Sequence, residues 1–242
     1  MNLYLSISMK RLGVHISRRH VKKGDFSVQK LIEDEETLRN LLLIQKSHSH
    51  GDPNLTIVGT LFGKRYSVLP IAVFDKMVLS GMVIDASPEN IFVKVTKTGG
   101  IRFFIHPRNI VSRKSLSKEQ EQKLLYALVA DHLTPLFKKV CKIANCKVPH
   151  LQSLVSHNLY QRSHFLRKKF SDCKQSSEDV LRMMTGAELF QNQRNPLDFT
   201  FRKTEGGSST AAYIRKHCCL AYLQHEGDKS HCCSTCPHIH KK

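Results

Sequence analysis

The sequence predicts an α+β fold in which a small, largely antiparallel sheet comes first, a helical part follows and a short cysteine-rich segment ends the chain. Three observations carry this. β-Branched and aromatic runs, broken by turn residues, fill positions 55–107; helix-period apolar patterns dominate 113–190; and five of the eight cysteines fall in residues 215–242. With 242 residues, 40% of them hydrophobic and 24% charged, the chain can bury an ordinary core and needs no disulfides to fold.

The N-terminal "MNLYLSISMKRLGVHISRRHVKK" puts its positive charge after a short apolar stretch and offers no small-residue cleavage site, so it does not read as a secretory signal. Residues 30–46, "KLIEDEETLRNLLLIQK", read as a helix, with Leu31, Leu38, Leu41, Leu42 and Ile44 on one face. Asp52-Pro53-Asn54 ends that pattern. The runs "LTIVGTLFGKRYSVLPIAVF", "GMVID", "NIFVKVTKT" and "GIRFFIHP" are then expected to be strands joined by hairpins, with turns at 87–90 and at Gly99-Gly100.

Ser117-Lys118-Glu119-Gln120 has the form of a capping box and opens a helix running toward Pro135, which resumes as "LFKKVCKIA". Helices are expected over 150–170 and 176–190, the second with "SSED" as its N-cap and acidic first turn. Residues 191–209 read as an irregular connection with a short strand at 199–202. The organisation is a β-rich part at 1–112, a helical part at 113–190 and a connection plus C-terminal segment at 191–242, together one structural unit. No run of eighteen apolar residues suggests a transmembrane helix.

The formal net charge is +18, a field that draws nucleic acid, anionic lipid headgroups or small anions. The clusters "SRRHVKK", "LFKKV" and "FLRKKF" are spread along the chain and read first as solvated helix faces.

Cys218 and Cys219, followed by Cys233 and Cys236, put four thiols within nineteen residues, a Cys-Cys pair and a Cys-x-x-Cys separated by thirteen residues. In a cytosolic chain with reduced thiols this points to metal or redox chemistry. Cys-x-x-Cys recurs in zinc and in iron–sulfur sites. Two adjacent cysteines chelate one tetrahedral zinc awkwardly, whereas a binuclear [2Fe–2S] unit is wide enough to take neighbours. Structural zinc and a thiol redox tail stay open on this ground alone. Cys232 reads as a spare thiol, and His217, His225, His231, His238 and His240 as solvated or supporting residues. Cys141, Cys146 and Cys173 have no metal-ligand spacing and read as buried or half-buried thiols.

"NPLDFTF" at 195–201, "YIRKHCCLAY" at 213–222 and "CSTCP" at 233–237 resemble the C-terminal signature of the FhuF-like ferric siderophore-iron reductases, Arg-x-x-Cys-Cys-x-x-Tyr followed by Cys-x-x-Cys-Pro. The match covers about the last fifty residues. The intervening loop is longer than the family's and ends in the doubled Cys232-Cys233. The resemblance implies a [2Fe–2S] cluster on Cys218, Cys219, Cys233 and Cys236 that passes one electron to siderophore-bound Fe(III). It also implies a palm-like sheet with a helical thumb, as in the synthetases that condense citrate with amines. No phosphate loop accompanies it, since Gly99-Gly100 and Gly206-Gly207 are too short.

A dinucleotide fingerprint is missing too, so the electron is expected from an external ferredoxin or flavoprotein reductase. Arg215 and Lys216 beside the cysteines, and Arg202 and Lys203 before them, are candidate guides for an anionic ferric siderophore. Tyr222 reads as a packing lid, and Asn195 with Pro196 as a turn. The expected protein is a cytoplasmic oxidoreductase; nucleic acid is not an expected partner, and attachment to the inner face of a membrane is compatible. The rival is a zinc-stabilised basic module that binds nucleic acid.

Overall fold

A computed structural model describes Met9 and residues 13–17, 25–191, 193–204 and 212–240. The basic run at 18–23 and Gly206-Gly207 lie outside the described residues. The architecture is α+β.

Four strands form one mixed sheet, β1 (Val14–Ile16), β5 (Ile101–Ile105), β4 (Ile91–Val95) and β2 (Phe26–Ser27) in that order. β4 and β5 are an antiparallel hairpin, β2 is antiparallel to β4, and β1 runs parallel to β5. Register places Ile91 opposite Ile105 and Val93 opposite Phe103, all buried, while the alternate Lys94 and Arg102 face solvent. This is the period-2 alternation of a sheet with one face in the core. β3 (Met82–Ile84) and β6 (Ile110–Ser112) form a second antiparallel pair. β3, β4 and β5 match the expected runs "GMVID", "NIFVKVTKT" and "GIRFFIHP"; β1, β2 and β6 are not among those expected.

The helix expected over 30–46 is two, α1 (Val28–Glu33) and α2 (Glu35–Ser47). Asp34 separates them: its backbone is extended, and its carboxylate accepts from Glu36 N at 3.0 Å, capping α2. Leu31, Leu38, Leu41 and Leu42 are fully buried. The next inward position belongs to Gln45, whose amide donates to the Gly99 carbonyl at 2.8 Å and ties α2 to the β4–β5 turn; Ile44 is only half-buried.

The run "LTIVGTLFGKRYSVLPIAVF" is helical, a correction to the expected strands. It forms α3 (Leu55–Tyr66), capped by Asn54 Oδ1 accepting from Ile57 N, and α4 (Val68–Ser80), ended by Gly81 at φ 61°. Burial on nearly every side removed the amphipathic period that would mark a helix, and β-branched residues suit either state once packing decides. By length and composition Leu55–Ser80 could cross a membrane, but 72% of its most apolar window is buried inside the fold. The β-rich part at 1–112 therefore holds α1 to α4 among its described residues.

Gly59 and Gly63, one turn apart on α3, let neighbouring helices approach closely. A Cβ on Gly59 would sit 2.4 Å from Ala144 Cβ; one on Gly63 would sit 2.8 Å from Leu151 Cβ and 2.9 Å from its Cα. Those contacts belong to α6 (Thr134–Ala144) and α7 (Val148–Lys169). α4 is tied to α7 by a buried bidentate pair, Arg162 Nε and Nη2 donating to Asp75 Oδ1 and Oδ2 at 2.7 and 2.6 Å.

The Ser117 capping box opens α5 (Lys118–Tyr126), which widens into a π-helical segment at Ala127–Leu133 before α6. Pro135 falls in the first turn of α6, where its missing N–H costs least. His132, in the π segment, is fully buried, with Nδ1 bonded to the Ala86 carbonyl and Nε2 to the Tyr66 hydroxyl. α8 (Lys174–Thr185) starts before "SSED", a second correction: Ser177 is buried and shares a 2.9 Å hydrogen bond with Ser163 of α7 instead of capping. Residues 199–202 form no strand; a single bridge joins Lys203 to Tyr213.

Gly63→Ala is expected to destabilise the fold by about 1–3 kcal/mol, because Leu151 Cα is backbone and cannot rotate away; denaturant titration measures it. Burial pushes His132 and His157 down to about 4, each chiefly by desolvation. The unfolded chain, titrating near 6.5, then takes up protons first as pH falls. Stability is intact above about pH 6.5 and declines toward pH 4, by up to about 3 kcal/mol for each histidine. His132→Gln should flatten that decline in a pH series of thermal melts.

Candidate metal centre

α7 holds the C-terminal segment in place. His157 Nε2 and Gln161 Nε2 donate to the Tyr213 carbonyl at 2.8 and 3.2 Å, and Ala212 N donates to Gln161 Oε1 at 3.0 Å. The chain then folds back, Arg215 N donating to the Thr235 carbonyl at 3.0 Å, so the Cys-Cys and Cys-x-x-Cys stretches meet. Leu220 and Glu226 take left-handed backbone (φ 60° and 53°) to turn the intervening loop. That loop is braced from α2's far end: His50 Nδ1 lies 3.0 Å from the Gln224 carbonyl, and at Gly51 a Cβ would be 2.4 Å from the same oxygen.

Two sulfur contacts join the two stretches, and a third links Cys218 to Cys219. Cys218 and Cys236 Sγ are 3.7 Å apart, and Cys219 and Cys233 Sγ are 3.9 Å apart. Two thiolates on one tetrahedral metal, with bonds of about 2.3 Å, lie about 3.8 Å from each other. Each pair thus has the bite of one metal ion. Among the described residues no three His, Cys, Asp or Glu side chains converge on a common metal position.

The pairs differ in setting. Cys219 is buried in a small apolar cluster with Ile57 and Leu61 of α3 and Leu154 of α7. Arg215, 9% exposed, donates from Nη1 to Cys233 Sγ at 3.0 Å and to Cys219 Sγ at 3.3 Å. Lys64 Nζ lies 3.8 Å from Cys233 Sγ, and the Arg65 guanidinium, whose pKa burial lowers, is held up in part by Cys219. Cys218 takes a backbone bond instead, from Leu220 N at 3.3 Å, and opens onto a cleft of about 520 Å³ lined by Lys147, His150, Lys216 and His217. The hydrogen bond to Cys219 and then desolvation push Cys233 up to about 12.

The four thiols are a donor set of the kind that thiolate-bound metals and clusters use. Arg215 Nε is buried with no hydrogen-bond partner among the described residues, so the cation beside the sulfurs retains a donor for a further acceptor. Arg215 itself, expected as a substrate guide, points at sulfur and is largely buried. Lys216 lines the cleft and lies over the Phe199 ring at 5.6 Å. Arg202 donates to the His240 carbonyl at 3.3 Å. Lys203 lines a separate basic pocket of about 440 Å³ with Arg167 and Lys168 of the "FLRKKF" run.

Lys64 and Arg65 went unnoticed in the sequence because the run around them read as a strand. Of the tail histidines, His217 stacks on His150, His225 lies between His50 and His231, His238 meets Tyr222 edge-on, and His240 bonds the Ser234 carbonyl. Asn195 shapes a turn, its amide donating to the Met184 and Gly186 carbonyls while Oδ1 accepts from Leu197 N. Tyr222 lies beside Cys218, Cys232 and Cys236; desolvation and then those thiolate charges raise its phenol.

No model of a known protein family matches the chain, and no curated protein matches it.

Cys232 also hydrogen-bonds Cys236, as Cys218 does. Cys232→Ser is expected to keep the full metal content of the purified protein, and Cys233→Ser to lose most of it, measured as metal per chain by elemental analysis.

Proposed function

We propose that Cys218, Cys219, Cys233 and Cys236 hold a [2Fe–2S] cluster and that the protein reduces siderophore-bound Fe(III) by one electron. The observation that carries the reading is the pairing of sulfurs, Cys218 with Cys236 and Cys219 with Cys233, each at the width of one tetrahedral metal. The adjacency of Cys218 and Cys219, awkward on one tetrahedral zinc, favours two irons. Such a cluster supplies single electrons at a potential set by local charge, hydrogen bonds to sulfur and solvent exposure.

The chain's own residues prepare each of those conditions. Arg215 and Lys64 offset thiolate charge at the inner pair, and the apolar shelf of Ile57, Leu61 and Leu154 keeps water from Cys219. Cys218 is the sulfur beside the cleft, where Lys147 and Lys216 attract an anionic chelate. Oxygen-donor chelates hold Fe(III) far more tightly than Fe(II), so a single electron loosens the metal. The electron comes from a ferredoxin or flavoprotein reductase, in the cytoplasm, where thiols stay reduced.

Anaerobically purified protein is expected to be red-brown, with about two irons and two sulfides per chain, and after reduction to be reoxidised by a ferric hydroxamate or catecholate chelate. A colourless protein containing only zinc overturns the reading. Arg215→Gln removes a cation and two hydrogen bonds to sulfur; it should lower the cluster's reduction potential by roughly 50–100 mV in a spectroelectrochemical titration.

A further inference from the structure

The cleft beside Cys218 is also lined by Cys146, a residue with no part in the proposed cluster. Cys146 follows the left-handed Asn145 that ends α6, and its backbone N–H returns to the Cys141 carbonyl at 3.2 Å. That turn brings the two side chains together: Cys146 Sγ is 3.1 Å from Cys141 Sγ. Spacing in the sequence gave no hint of this, since five residues along a regular helix point well apart.

The two thiols have different access. Cys141 is 6% exposed and packs in the main core, while Cys146 is half-buried and faces the cleft. Gly59 makes room for it, a Cβ there lying 3.3 Å from the Cys146 sulfur. Cys146 is lowered, first by its hydrogen bond with Cys141, and Cys141 is raised, first by the same bond. An accessible thiol of thiolate character next to a sheltered partner is the arrangement of a reversible dithiol.

We propose that Cys141 and Cys146 form a reversible dithiol–disulfide site, oxidised through the cleft by a low-molecular-weight disulfide and separate from the metal centre. In the first exchange the Cys146 thiolate attacks the small disulfide, forming a Cys146 mixed disulfide and releasing one small thiolate. Cys141, losing its proton to solvent or to that thiolate, then attacks the Cys146 sulfur; the protein disulfide forms and the second small thiol leaves. Two protein thiols are oxidised and one small disulfide is reduced to two thiols. The site does not depend on the identity of the metal.

The test uses the full chain as purified, equilibrated anaerobically in glutathione buffers of increasing glutathione disulfide content, acid-quenched, alkylated and cut with trypsin. Cleavage after Lys139, Lys142 and Lys147 puts Cys141 and Cys146 in separate peptides, 140–142 and 143–147. The expected result is a disulfide-linked 140–142/143–147 species that rises from undetected to the main form and returns to alkylated thiols on reduction. Cys141→Ser should instead hold glutathione on Cys146, and Cys146→Ser should leave Cys141 alkylated throughout. The proposal is overturned if both thiols stay alkylated across the series, or if Cys146 pairs with Cys218 or keeps glutathione in the unsubstituted protein.

Discussion

The close approach that Gly59 and Gly63 permit is the constraint on which the rest of the structure rests. With no Cβ on that face, α3 meets α6 and α7 at backbone distance. The other residues of α3 are then fixed in direction. Ile57 and Leu61 join Leu154 to form the shelf under Cys219, Lys64 reaches Cys233, and Tyr66 turns to the sheet side, where it meets Phe103 and His132. One helix thus supplies most of the centre's apolar floor and part of its positive charge.

Legibility in the sequence followed the strength of local signals. The β4–β5 hairpin was readable because inward and outward residues alternate along it, and the Ser117 helix because its cap is written in side chains. Residues 55–80 misled because a helix buried all round has no polar face to give it a period. Two signals against a strand were nonetheless present: Asn54 as a cap, and the spacing of Gly59 and Gly63, which lays both on one helical face. The four cysteines could be singled out from the sequence; their division into pairs could not, because it depends on Arg215 N finding the Thr235 carbonyl across the fold. The contact of Cys141 with Cys146 was hidden for a related reason, resting on one left-handed residue.

The two sulfur pairs stand in unlike surroundings. The inner pair has a buried guanidinium, an ammonium group and an apolar floor; the outer pair has a backbone amide and an open cleft. Each pair has one buried and one half-buried cysteine; what separates them is the positive charge beside Cys219 and Cys233 and the cleft beside Cys218. Arg215 combines two duties in this arrangement, since its amide sets the chain crossing that its guanidinium then neutralises. A substitution that spares the crossing but removes the charge separates those duties.

The order of parts along the chain adds a consequence in time. α3 and α7, which build the shelf, precede every one of the four cysteines, and domains form as their segments leave the ribosome. The floor, the cations of α3 and the anchoring His157 and Gln161 can therefore be in place before any of these sulfurs has been synthesised. The last segment brings its own cation, Arg215, to a floor and to a Lys64 that come earlier in the chain.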